Sequence, residues 1–324
     1  MAILETHNMA VGYGQGKNRT ALLSNLNLQL EQGTMVALLG KNGAGKSTLI
    51  KALTCDTAPV DGTINIDGRN SANIGKRDIS RLIALVATER IMGGGFTIRE
   101  LVALGRQPHT GFLGRLSSHD NDVVDECMKA VGIASKAHQH VASLSDGERQ
   151  KAMIAKALAQ ETPIIVLDEP TAFLDVASRI ETMRLLHNLA REQHKAVMLS
   201  SHDISQSLLL ADKLWVITSD RKVITGSTEQ VVMSGTMDKV FDNSSIMFNG
   251  SLCDYEAQLP ILGKVKLECD TPTLKRCMTN ALLRHGIAID DDCDIVVRID
   301  DVNHIKLQDG TIVTDVKDIV SLFQ

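Results

Sequence analysis

Short, continuous apolar runs punctuate residues 1–240, and stretches of helical periodicity separate them. Met35 to Leu39 (MVALL) is one such run, as are IALVA at 83–87, IIVL at 164–167 and VMLS at 197–200. Runs of this length without alternation suit strands buried on both faces, the usual state of parallel strands covered by helices. The residues between them carry helix signals. LysSerThr at 46–48 opens a helix that continues through LIKAL. Thr97 with Glu100, and Ser145 with Glu148, have the spacing of a capping box, in which two residues satisfy each other's orphan backbone donors. The pattern predicts an α/β fold.

A second pattern begins after residue 242. Asn243 to Pro260 reads as a connecting stretch, and GKVKLEC then reads as a strand. Thr271-Pro272 starts a helix in the favoured cap-then-proline order, and Gly286 ends it. IDDDCDIVVRID and VNHIKL read as strands, QDG as a hairpin turn, and Asp315 as the cap of a short final helix. The expected division is 1–242 for a large domain and 243–324 for a small C-terminal α/β domain. The acidic run of the tail (Asp290, Asp291, Asp292, Asp294, Asp300, Asp301) fails the spacing of a calcium-binding EF-hand loop and reads as solvated turns.

The 324 residues carry a net charge of −5 and only 3% aromatics, which argues against a nucleic-acid partner. No apolar run approaches the ~20 residues that span a bilayer, and MAILETHNMA lacks the form of a signal peptide. The expected location is cytoplasmic. Six cysteines (Cys55, Cys127, Cys253, Cys269, Cys277, Cys293) show no zinc spacing and read as reduced structural thiols.

The chemistry starts at MVALLGKNGAGKST. Gly40-x-x-x-x-Gly45-Lys46-Ser47 matches the phosphate-binding P-loop in full, between a predicted strand and a predicted helix. Its glycines let backbone N–H groups turn inward around a β-phosphate. Lys46 then reaches the β- and γ-phosphates, and the Ser47 hydroxyl ligates Mg²⁺. Further on, PIIVLDEPT places Asp168 and Glu169 at the C-terminal end of a short strand, where α/β sheets bind ligands. Asp168 suits a carboxylate directed at Mg²⁺, and Glu169 a base that orients the attacking water. Together with the P-loop, this pair points to ATP hydrolysis.

The order P-loop, LSDGE at 144–148, LDEPT, Asp175 and His202 resembles the ATP-binding cassette of ABC transporters, over roughly residues 3–240. The resemblance implies a P-loop ABC ATPase cassette, with a mixed sheet, a RecA-like core and a helical subdomain at about 97–160. It implies that Gly40, Asn42, Gly43, Ala44, Gly45, Lys46, Ser47 and Thr48 cradle ATP, with Tyr13 stacked on adenine. It implies Lys46, Glu169 and His202 in catalysis, His202 as the switch histidine at the γ-phosphate, and Ser47 and Asp168 at Mg²⁺. The signature residues Ser145, Gly147 and Glu148 would face ATP held by a second copy of the chain, and Asp175 in the D-loop would speak across that homodimer. Here the signature departs from LSGGQ, with Asp146 in place of the middle glycine.

The stretch IALVATERIMGGGFT, 83–97, fits the family's coupling loop, with Gly93 to Gly95 as hinge rather than phosphate cradle. The position of the family's metal- and water-contacting glutamine falls on Thr88, with Glu89 beside it, so a modified hydrolysis step is expected. The GRQPHTG element, Gly105 to Gly111, is similar to the branch that powers importers of iron-siderophore complexes, haem and cobalamin. That branch implies membrane permease subunits as partners, indirectly a substrate-binding protein, and a peripheral place on the cytoplasmic face of the inner membrane. The alternatives are an export ATPase or a soluble scaffold of cofactor assembly. His109, His138 and His140 read as ordinary surface histidines, since no cysteine or carboxylate cluster completes a metal shell.

Overall fold

The computed structural model describes residues 2–14, 20–87, 95–111, 114–241, 245–302 and 304–320. The chain divides into two compact units, 1–242 with 248–254, and 243–247 with 255–324.

In the first unit, strands β1 (Ala2–Tyr13), β2 (Thr20–Leu26) and β3 (Gln29–Glu31) precede β4 (Met35–Gly40) and helix α1 (Lys46–Leu53). Then come β5 (Asp61–Ile66), β6 (Arg69–Asn70), α2 (Lys76–Leu82) and β7 (Ile83–Val86). Three helices follow: α3 (Ile98–Ala103), α4 (Ser118–Ala130) and α5 (Asp146–Ala159). The unit continues through β8 (Ile164–Leu167), α6 (Val176–Gln193), β9 (Ala196–Ser200), α7 (Ile204–Leu210), β10 (Lys213–Ile217), β11 (Val223–Ser227) and α8 (Thr228–Met233).

The apolar runs form the centre of a six-stranded sheet in the order β11–β10–β4–β9–β8–β7. All its pairings are parallel except that of β11 with β10. Successive side chains of a strand point to opposite faces, and here each face is covered. Met35, Ile165, Leu167, Val197 and Leu199 pack into a core with the helices α3 to α6. Val36, Leu38, Ile164, Val166, Ala196 and Met198 pack into another, formed with α1 and an antiparallel sheet. Burial on both faces is why these strands show no alternation. The antiparallel sheet runs β2–β1–β5–β6, with β3 against β1, and was not apparent in the sequence pattern. Its strands alternate irregularly because their pairings carry register shifts.

Among α3, α4 and α5, the GRQPHTG element acts as a packing device. A Cβ on Gly105 would lie 2.2 Å from the carbonyl oxygen of Lys156 in α5, so only glycine allows this approach. Arg106 is buried, and its guanidinium donates to Asp120 (2.8 Å), Glu161 (2.5 Å) and the carbonyl of Ala159 (2.8 Å). Ser117, through its hydroxyl and its backbone N–H, and then Arg106, hold the Asp120 carboxyl well below the usual carboxylate range. Arg77 of α2 donates to the carbonyls of Pro108 and Thr110. His109 sits 2.9 Å from the carbonyl of Gln160, and His140 lies 3.1 Å from that of Gly95.

The stretch expected to be a plain connection, 243–260, contains β12 (Ile246–Asn249) and β13 (Asp254–Ala257). The second unit adds β14 (Gly263–Glu268), α9 (Pro272–Arg284), β15 (Ile287–Ile289), β16 (Val296–Asp301), β17 (His304–Leu307), β18 (Ile312–Val313) and α10 (Val316–Val320). These strands form one sheet, β15–β14–β16–β17–β18, with β14 parallel to both neighbours. The unit has its own core, including Val265, Leu267, Met278, Leu282, Val297 and Ile305. Thr271 stands at the cap of α9 but makes no side-chain capping bond, so Pro272 alone supplies the start signal. Asp290 of the acidic run pairs with Lys264 at 2.9 Å.

Gly105→Ala is expected to lower the unfolding free energy by about 3 kcal/mol, because backbone must yield. Gly111→Ala, whose Cβ meets nothing within 4 Å, is expected to fall within about 0.5 kcal/mol of the parent. Denaturant titration of both variants checks the pair; equal stabilities would contradict the packing role of Gly105.

Candidate functional site

The parallel strands β4, β9 and β8 end side by side, and each delivers chemistry at its carboxyl end. The P-loop follows β4, Ser200 closes β9 with His202 just beyond, and Asp168 and Glu169 follow β8. Pairing of Leu38 with Ser200 and of Leu167 with Leu199 holds the three ends level.

The P-loop turns through Gly43 (φ +75°) and Gly45 (φ +113°), backbone conformations open to glycine and rare for other residues. Lys46, the first residue of α1, is buried, and its ammonium donates to the carbonyl oxygens of Gly40 (2.9 Å) and Lys41 (3.4 Å). Burial pulls its pKa down, against the opposing pull of Glu169 and Asp168. The buried cation and the acids of β8 are thus electrostatic neighbours. Tyr13 is exposed, and its phenol oxygen accepts from the Thr48 hydroxyl at 2.9 Å. Tyr13, Ser47, Thr48 and Lys51 help line a cavity of ≈ 580 Å³ beside the P-loop.

Glu169 is held at both ends. Its backbone adopts φ +50°, unusual outside glycine. Its N–H donates to the Ser200 hydroxyl at 2.9 Å, and its carboxylate lies 2.7 Å from Nε2 of His202. The Ser200 hydroxyl in turn donates to Asp168 at 2.6 Å. Glu169 and His202 also border a cavity of ≈ 160 Å³ with Thr171, Phe173 and Arg179. Ser200 had no signal in the sequence beyond its place in an apolar run. The Ser47 hydroxyl and the Asp168 carboxylate are both hard oxygen donors, the chemistry that suits Mg²⁺.

The signature segment is a built helix start. The Ser145 hydroxyl accepts from the N–H of Glu148 (3.3 Å), and the Glu148 carboxylate accepts from the N–H of Ser145 (3.0 Å). This cap uses the Ser145 oxygen as acceptor of the Glu148 N–H. The two acids around Gly147 are each paired, Glu148 with Lys136 and Asp146 with Arg149 (2.8 Å for the latter). Lys136, then Ser145, holds the Glu148 carboxyl below its ordinary value. The two acids that set this segment apart from LSGGQ are therefore each offset by a cation. Asp175 caps α6 by accepting from the N–H (2.8 Å) and hydroxyl (3.1 Å) of Ser178, and these bonds lower its pKa. Ser178 also closes over the signature: a Cβ on Gly147 would lie 2.7 Å from its Oγ and 3.1 Å from its Cβ. Thr88 and Glu89, expected in the coupling loop, lie outside the described residues.

Comparisons with known proteins agree on the kind of molecule. The model of the ABC transporter family matches residues 23–172. The ferric enterobactin transport ATP-binding protein of Escherichia coli is 34% identical over 241 residues, 74% of this chain and 88% of the relative. The cobalamin import ATP-binding protein of Halobacterium salinarum is 36% identical over 223 residues, 69% of this chain and 56% of the relative. An ATP-binding cassette solved as a dimer in a post-hydrolysis state with ADP and Pi superimposes with a TM-score of 0.60 at 26% identity, covering 69% of this chain and 98% of that one.

Gly147→Ala is expected to cost about 1–3 kcal/mol through its clash with Ser178. Adding Ser178→Gly is expected to recover much of the loss, which a double-mutant cycle reads as a coupling term. Strictly additive effects would place the requirement for glycine elsewhere.

Proposed function

The chain belongs to the family of ABC transporter ATP-binding proteins and is an ATPase, and on that premise we propose that it powers an importer of metal chelates of the iron-siderophore, haem or cobalamin type. One observation carries the substrate class: relatives named for ferric enterobactin and for cobalamin align with about 70% of this chain. Among the described residues no helix is long and apolar enough to cross a membrane. The proposal assigns the pathway itself to separate permease subunits, with this chain bound at their cytoplasmic face and a substrate-binding protein acting on the far side.

In the proposed cycle, two copies close head-to-tail around two ATP molecules. The P-loop amides and Lys46 hold the β- and γ-phosphates, and Lys46 exchanges its bonds to Gly40 and Lys41 for phosphate oxygens. Tyr13 stacks against adenine from the edge of the cavity it shares with Thr48. Ser47 and Asp168 would hold Mg²⁺, which would offset the charge that develops on the phosphates. Glu169 orients the attacking water, and His202 donates a hydrogen bond to the γ-phosphate. Ser145 and the amide of Gly147 donate to the γ-phosphate held by the partner copy. Asp175 fixes the turn that faces the partner. Hydrolysis removes the γ-phosphate that joins the two copies, and the pair reopens.

Phe96, exposed near the end of the 83–97 stretch, gives a test of the transporter reading. A photo-crosslinking phenylalanine analogue at this position, in cells with the native partners, is expected to capture a membrane protein of many helices. Capture of a soluble protein, or of this chain alone, would contradict the importer and favour a scaffold role.

A further inference from the structure

We propose that Ser200 is a positioning residue for hydrolysis, its buried hydroxyl tying the metal-directed acid Asp168 to the water-orienting acid Glu169. The inference rests on the roles proposed above for those two acids. Ser200 is the last residue of β9, the strand between the P-loop strand β4 and the acid-bearing strand β8. It is fully buried. Its oxygen accepts the N–H of Glu169 at 2.9 Å, and its one proton goes to Asp168 Oδ1 at 2.6 Å. A hydroxyl has a single proton, so accepting from one acid's backbone while donating to the other's carboxylate fixes the relative placement of both.

The backbone of Glu169 gives the tie its purpose. A glutamate at φ +50° persists where surrounding structure over-determines it. Two further bonds complete the clamp: Asp168 N–H donates to the carbonyl of Val86, and Ala172 N–H to the carbonyl of Glu169. Ser200 then holds the Glu169 backbone while His202, two residues on, holds its carboxylate. One short segment therefore grips Glu169 at both ends. Any displacement of the His202 segment carries Glu169 with it, which links the γ-phosphate contact to the aim of the attacking water. An apolar side chain at 200 would leave the Glu169 amide and a carboxylate oxygen of Asp168 short of these partners in a partly buried place.

The simpler alternative is that Ser200 only satisfies buried polar groups and contributes stability. Ser200→Ala separates the two. Positioning predicts a fall in kcat of about 10- to 100-fold with little change in KM for ATP, and recovery of most of the rate in Ser200→Thr. It also predicts that a fluorescent ATP analogue needs more Mg²⁺ for half-saturation of binding, a readout independent of turnover. Ser200→Cys, near in volume but a weak hydrogen-bonding group, carries the same expectation if the alanine variant does not fold. A lowered melting temperature with unchanged kcat and unchanged Mg²⁺ midpoint would overturn the proposal. Glu169→Gln is measured alongside. Its loss of hydrolysis together with an unaffected Ser200→Ala would sink the Ser200 role alone; its retention of full hydrolysis would sink the role of Glu169 and that of Ser200 with it.

Discussion

Three neighbouring parallel strands, β4, β9 and β8, end at one level because their ladders pair residue for residue, and the chemistry of the site hangs on that alignment. A P-loop binds phosphate wherever it occurs. It becomes a candidate for hydrolysis here because β9 and β8 bring His202, Ser200, Asp168 and Glu169 to the same edge. The alignment is held from both faces by buried side chains that alternate between two cores. A one-residue slip of β9 would exchange those faces and withdraw Ser200 from Asp168.

Much of this edge was legible in the sequence because its signals are local. The P-loop, the acid pair after IIVL and the capping boxes at Thr97 and Ser145 each rest on residues within a few positions of one another. The fold class followed from apolar runs whose lack of alternation reflects burial on both faces. The missed features rest on partners far along the chain. Ser200 meets Asp168 across 32 residues, and Lys136 neutralises Glu148 from a turn preceding the signature. The antiparallel sheet escaped because register shifts blur its alternation. GRQPHTG stood out as a marker of an importer branch, and the structure gives its first two residues a packing reason that is independent of cargo: Gly105 admits the Lys156 carbonyl, and Arg106 is a buried cation held by two acids.

The signature segment shows how a departure from a family pattern is absorbed. Asp146 and Glu148 put two acids into the first turn of α5, a favourable place for the helix dipole and a hostile one for an incoming phosphate. Arg149 and Lys136 pair with them, and the Ser145 hydroxyl caps the turn by accepting the Glu148 N–H. Ser178 connects this turn to the next, since it both packs on Gly147 and bonds Asp175. In the proposed dimer these two segments face the partner, so the signature and the Asp175 turn move as one piece.

In the proposed cycle each working site is assembled from two copies, the P-loop of one and the signature of the other. Complementation tests it most directly. One variant carries Lys46→Ala; the other carries Ser145→Asp, which keeps a good helix cap and sets a carboxylate against the γ-phosphate. Each alone is expected to be nearly inactive, and their mixture is expected to regain ATPase activity, because mixed dimers contain one site with both halves intact. A mixture no more active than the two variants measured apart would contradict the shared site.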